Sequence, residues 1–157
     1  MKSVVIYATR SGNTKQVATT VAAVLCERGA VDTYSVEDAP SDLRAFDLVV
    51  IGGPTEAHGV TPPMTAYLDR IDSASISGRQ MAAFDTRLAW PRMLSGSAAE
   101  GIAKWLSAHG ASLVASPESF IVSTKPALQP AELDHATRWA RAIAQLLPVK
   151  SIDAPVV

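Results

Sequence analysis

The feature that most limits what this chain can become is a set of short runs that are apolar at nearly every position. They are "VVIYA" at Val4–Ala8, "LVVI" at Leu48–Ile51, and "MAAF" within Gln80–Phe84. Such a run has no polar face to give to water, so as a strand it is buried on both sides. Between the runs lie stretches with helical spacing. Val17, Val21, Val24 and Leu25 share one face, and Gly29 is placed to cap the end of that helix. Pro62 and Pro63 follow Thr61 where a second helix, reaching about Ile71, begins. Ser97 and Glu100 form a capping box for a helix through Ile102 and Leu106, stopped by Gly110. Pro130 starts a last helix with Leu133, Ala136, Ala140, Ile143 and Leu147 on one stripe, and Pro148 ends it. Val31–Val36 reads as a weaker strand at an edge. Gly52-Gly53-Pro54 is expected to break the strand before it. Ser112–Val122 is strand-like but interrupted by Pro117, which asks for an edge position or a bulge.

Five strands alternating with helices make an α/β fold, a doubly wound five-stranded parallel sheet with helices on both faces. Residues 1–148 read as one domain and 149–157 as a loosely held tail. Ligands in such folds sit beyond the carboxyl ends of the strands. The loops to read are therefore Thr9–Thr14, Gly53–Thr61 and Asp85–Gly96. Composition narrows the partners. A net charge of −1 gives no electrostatic case for nucleic acid. No apolar stretch has the length of a membrane span, and the first residues lack a signal-peptide pattern. The single cysteine, Cys26, suits a reducing compartment, so the expected location is cytoplasmic. Cys26 is expected to be a small buried hydrophobe, Trp105 and Trp139 helix packing residues, and His109 and His135 surface residues. No histidine stands at metal-ligand spacing, and no metal site is expected.

The first loop, "TRSGNT", places Thr9, Ser11 and Thr14 around Gly12 where strand becomes helix. A helix N-terminus presents unpaired N–H groups and the positive end of a dipole, which seats a phosphate. Gly12 lets the backbone approach, and the hydroxyls add donors. One hydroxyl suffices to cap a helix; three around a glycine favour a bound phosphate. The G-x-x-x-x-G-K-[ST] loop of nucleoside triphosphatases and the G-x-G-x-x-G dinucleotide fingerprint are both absent.

"TRSGNT" resembles the T-x-[ST]-G-N-T phosphate loop of flavodoxins, and "VVIGGPTEAHG" resembles their strand-three exit and second flavin loop. The resemblance follows element order over most of the chain and is of the short-chain kind. It implies strand order 2-1-3-4-5, FMN as cofactor and electron transfer as activity. Carried over by position, Thr9, Ser11, Gly12, Asn13 and Thr14 would hold the phosphate, with Arg10 adding a charge. Pro54, Thr55, Glu56, Ala57, His58 and Gly59 would line one side of the ring. Asp85, Thr86 and Arg87, with the stretch to Pro91, would line the other. Two places depart from the family pattern. Glu56 stands where many flavodoxins have a Trp, and "FDTRLAWPRMLSGSA" replaces a G-x-G-D loop bearing a Tyr.

Several side chains have two readings. His58 packs on the ring or bonds near its N5 edge, or it is a solvated loop histidine. Trp90 is the outer stacking ring, or it covers the sheet edge. Arg87 is a cation at the N1–C2 edge that stabilises the reduced form, or it pairs with Asp85 at the surface. The resemblance implies an FMN-dependent redox protein. It carries electrons between a reductase and an acceptor protein, or it is itself an oxidoreductase on a small molecule such as a quinone. The alternative is a flavin-free regulatory or interaction module with the same fold. A receiver domain is excluded because Thr9-Arg10 and Gly52-Gly53 stand where acidic residues belong. "GGP" and "SGS" are not nucleophile elbows.

Overall fold

Val4, Val5 and Ile6 have no exposed surface, as an all-apolar strand requires, and they form the middle of β1 (Lys2–Tyr7). The structure, a computed structural model, describes residues 1–125 and 127–148. The expected tail at 149–157 lies outside the described residues. Helix α1 (Asn13–Leu25) follows and continues as a 3₁₀ turn over Cys26–Arg28. At the end of that turn stands Gly29. Its φ is 152°, and a Cβ there would lie 2.1 Å from the Met1 carbonyl oxygen. No other residue fits so close an approach.

The remaining elements follow in chain order. They are β2 (Ala30–Ser35), β3 (Leu48–Pro54), α2 (Pro62–Arg70), a single turn α3 (Ser73–Ile76), β4 (Gln80–Leu88), a single turn α4 (Arg92–Ser95), α5 (Ala98–Ala108), β5 (Ser112–Leu113), β6 (Glu118–Val122) and α6 (Glu132–Leu146). The sheet runs β2-β1-β3-β4, with β5 and β6 both paired to β4, and every pairing is parallel. Order 2-1-3-4-5 thus holds, with the fifth position filled by two short strands either side of Pro117. Proline lacks the N–H that a continuous ladder needs.

Each face of the sheet carries its own core. On one, Val4, Ile6, Val49 and Ile51 pack with Met64 and Tyr67 of α2 and Ile102 and Leu106 of α5. On the other, Val5, Val50, Phe84 and Phe120 pack with Val17 and Val21 of α1 and Trp139 and Ile143 of α6. Phe84, Phe120 and Trp139 meet edge to face, with ring centroids 5.9 to 6.0 Å apart.

The structure corrects several expectations. Gly52-Gly53-Pro54 does not end β3, which pairs with β4 through Pro54↔Thr86. Gly52 is there because the Phe84 ring lies on it: an added Cβ would fall 2.1 Å from the ring. Asp85, Thr86 and Arg87 belong to β4, not to a loop, because β6 extends the ladder on their far side. Cys26 is exposed, at the end of α1. Leu133 is exposed as well, while Ala136, Ala140, Ile143 and Leu147 of the same stripe are buried. His135 is half-buried rather than superficial. It lies on the Phe120 ring, between Glu118 at 3.6 Å and Glu132 at 3.3 Å. Trp139 packs in the core as expected, and Trp105 stacks on His109, which is exposed.

Candidate functional site

Three strand exits lie side by side at the carboxyl edge of the sheet. The Ala8 N–H donates to the Gly52 carbonyl at 3.0 Å, joining the exits of β1 and β3. The Thr55 N–H donates to the Thr86 carbonyl at 2.9 Å, joining those of β3 and β4. The loops after these strands are thereby neighbours, although they are far apart in sequence.

In the first loop Gly12 is the N-cap of α1, at φ 91° and ψ −8°. No side chain caps the helix, and its first turn holds no acidic residue. The hydroxyls therefore do not serve the ordinary capping role. Thr9 Oγ1 accepts from the Gly12 N–H at 3.0 Å, and Asn13 Nδ2 donates to Ser11 Oγ at 3.4 Å. Thr9, Arg10 and Ser11 are exposed, whereas Asn13 and Thr14 are buried. Thr14 Oγ1 is 2.9 Å from Thr86 Oγ1, so this hydroxyl links α1 to β4. The first N–H groups of α1 remain for a ligand. With a left-handed Gly12 at their head, they fit a phosphate and its charge.

The second loop turns tightly. Glu56 and Gly59 exchange backbone hydrogen bonds of 3.1 and 3.0 Å, and Ala57 (φ 46°) and His58 (φ 70°) between them are both left-handed. That is the pattern of a type I′ turn, which glycine and asparagine adopt far more readily than alanine. Glu56 reaches back to Arg10, with Nη1 and Oε2 3.2 Å apart, so loops one and two are tied across the site. This pair is the use the structure makes of a carboxylate where a flavodoxin Trp was to be expected.

The third loop meets the second where His58 bridges Gly96. Gly96 has φ 70°, and a Cβ on it would lie 1.9 Å from the His58 carbonyl oxygen. A hollow of about 170 Å³ lies between the two loops, lined by Ala57, His58, Arg87, Trp90 and Leu94 among others. Trp90 is 53% exposed there. A second hollow, of about 290 Å³, opens against Thr9, Arg10, Pro54 and Glu56.

Asp85 is fully buried behind these loops. Its Oδ2 accepts from Ser97 Oγ at 2.6 Å, the Ala99 N–H at 3.0 Å and Thr55 Oγ1 at 3.2 Å. Thr55 Oγ1 in turn accepts from the Ala98 N–H at 2.9 Å. Of the expected capping box, Ser97 Oγ accepts from the Glu100 N–H, but the Glu100 carboxylate binds Arg92 at 2.7 Å instead. The alternative that paired Arg87 with Asp85 is not what the structure holds: Arg87 bonds to the third loop itself.

The structure thus brings Thr9–Gly12, Pro54–Gly59, Arg87 and Trp90 to one rim, and sets Thr14, Asp85 and Thr86 beneath it. Sequence reasoning carried the ring wall of the third loop only to Pro91; Leu94 and Ser95 line it too, Gly96 meets His58, and Ser97, expected only as a helix cap, is the partner of Asp85. Among the described residues no group of three His, Cys, Asp or Glu side chains could hold a metal ion. Nor is any described helix long and apolar enough to cross a membrane.

No curated protein matches the chain. Among solved structures it is similar to a flavodoxin from the domain Archaea, with 23% identity, a TM-score of 0.75, and coverage of 92% of this chain and 97% of that one. It is similar to oxidised flavodoxin 1 from Bacillus cereus at 21% identity and a TM-score of 0.79, covering 94% and 100%. It also matches 35% of the rubredoxin oxygen:oxidoreductase of Desulfovibrio gigas, at 19% identity, a TM-score of 0.72 and 92% of this chain. At these identities the likeness is one of fold. The model of the flavodoxin domain, however, matches residues 4–114, most of the sequence, and the chain belongs to the flavodoxin family.

Proposed function

We propose that this protein binds FMN and transfers electrons. The observation that carries the reading is the open N-terminus of α1, free of side-chain caps and acidic residues, beside the two ring-facing loops. Thr9, Arg10, Ser11, Gly12, Asn13 and Thr14 would hold the phosphate. Pro54, Thr55, Glu56, Ala57, His58 and Gly59 would form one wall for the ring. Arg87 and Trp90 would form the other, with Asp85 and Thr86 supporting it from within. When bound, FMN supplies the capacity to accept and release electrons one or two at a time. The chain supplies the seat, the orientation and the exclusion of water. Family membership supports the reading, as do neighbours named as flavodoxins in oxidised and two-electron reduced states. The electrons would pass between a reductase and an acceptor protein, or to a small molecule such as a quinone. The lone cysteine, exposed at the end of α1, suits the cytoplasm.

Titration of the purified protein with FMN, FAD and riboflavin tests this. One FMN per chain is expected, bound more tightly than riboflavin. Equal affinity for riboflavin would show that the first loop does not hold a phosphate, and no affinity for any of the three would favour the flavin-free module.

A further inference from the structure

Asp85 and Arg87 stand two apart on β4, so their side chains leave the same face of the sheet. Opposite charges so placed are natural partners, yet they are used separately. Asp85 takes hydrogen bonds from Ser97 Oγ and the Ala99 N–H, at the end of the third loop and the start of α5. Arg87 Nη1 donates to the carbonyls of Leu88 at 3.2 Å and Trp90 at 2.8 Å, and to Ser95 Oγ at 3.4 Å. Among the described residues no carboxylate lies within ion-pair distance of Arg87. The division follows donor and acceptor chemistry. A carboxylate only accepts and a guanidinium only donates. The loop offers N–H groups at its helical end and the carbonyls of Leu88 and Trp90 at its start.

We propose that Asp85 and Arg87 are a pair of positioning residues that hold the third loop from its two ends and so shape the wall that Trp90 and Leu94 present to Ala57 and His58. The role of Arg87 is then to hold the Leu88 and Trp90 carbonyls and Ser95 Oγ through its Nη1, not to place a charge at the ring edge. Asp85 does the complementary work, since Thr55 of the second loop also donates to it at 3.2 Å. One buried carboxylate thereby ties the roots of both walls. The ligand in this inference rests on the FMN reading, but the shaping of the loop belongs to the chain alone.

Amide hydrogen exchange on the flavin-free protein, followed by FMN titration of the same variants, tests the pair. Arg87→Ala is expected to speed exchange over residues 89–96 and to weaken FMN about tenfold or more. Competition of inorganic phosphate with FMN should be unchanged, because the first loop is intact. Arg87→Lys keeps the charge but its ammonium ends one atom short of the Nη1 position, and Arg87→Gln is shorter still and neutral; each is expected to resemble Arg87→Ala. Asp85→Asn retains an acceptor oxygen for Ser97 and Ala99 and should leave exchange over residues 97–100 close to the parent. Asp85→Leu should speed it, and if that variant does not fold, Ser97→Ala reports on the same bond. Parental FMN affinity in Arg87→Lys, with loss only in Arg87→Gln and Arg87→Ala, would overturn the proposal in favour of a charge effect. Unchanged exchange over residues 89–96 in Arg87→Ala would overturn it outright. A parent protein that binds no flavin would defeat the FMN reading alone, since the exchange data still judge the loop.

Discussion

Gly12 has φ 91°, and a Cβ on it would meet nothing within 4 Å. Its requirement is therefore conformational rather than steric toward the protein. For a β-branched residue the left-handed region costs about 1–2 kcal/mol, whereas asparagine adopts it with much less strain. Gly12→Val is expected to weaken FMN by about that much, while Gly12→Asn stays near the parent. Fluorescence titration measures both, and equal losses in the two would remove backbone conformation as the cause. Gly96 is the opposite case. It combines a left-handed φ with a Cβ position 2.7 Å from the His58 Cα as well as against its carbonyl. Gly96→Ala must push loops two and three apart. We expect it to lower stability by about 1–3 kcal/mol, the scale of overpacking, and to weaken FMN. A melting temperature and affinity equal to the parent's would mean that the contact between the loops is not held in solution.

Elements end where their neighbours let them. β3 runs through Gly-Gly-Pro because Phe84 covers Gly52 and because β4 pairs as far as Pro54. β4 reaches Leu88 because β6 lies along it, and the fifth position is split because Pro117 cannot donate to a ladder. Gly52→Ala should therefore destabilise the protein by about 1–3 kcal/mol through the Phe84 ring. Phe84→Leu in the same chain should recover part of that loss. A double-mutant cycle in urea reports the coupling. Strictly additive effects would show that the ring and the glycine are not in contact as described.

The whole molecule rests on two apolar layers, and one buried phenol in the first of them makes its stability depend on pH. Tyr67 has no exposed surface and donates to the Pro40 carbonyl at 2.9 Å. Burial pushes its pKa well above the ordinary value of 10.0, against a smaller lowering by Arg70. The folded protein thus holds this proton more tightly than the unfolded chain does. The sign follows by linkage: the contribution is fully present below the unfolded value and is lost as pH rises above it. Urea unfolding should show stability falling above about pH 10, with a shallower fall in Tyr67→Phe. Tyr67→Phe begins from a lower stability at neutral pH, because the Pro40 carbonyl loses its donor, typically about 1–3 kcal/mol. Parallel curves for the two proteins would exclude Tyr67 as the source.

The sequence by itself determined the fold class, the order of elements and the first loop. Those depend on local pattern: runs apolar at every position, helical stripes, and hydroxyls around a glycine at a strand–helix junction. Tertiary structure alone decided where β3 and β4 stop, since that turns on Phe84 over Gly52 and on a strand contributed from beyond Pro117. It also decided the partners of the charged residues. Arg10 finds Glu56 some forty-six positions away, Asp85 finds Ser97 and the α5 N-terminus, and Arg87 finds carbonyls of its own loop. Charge and residue type show that such a side chain needs a partner. Which donor or acceptor lies within about 3 Å is set by how the strand exits stack at one edge of the sheet, and no local pattern contains that geometry.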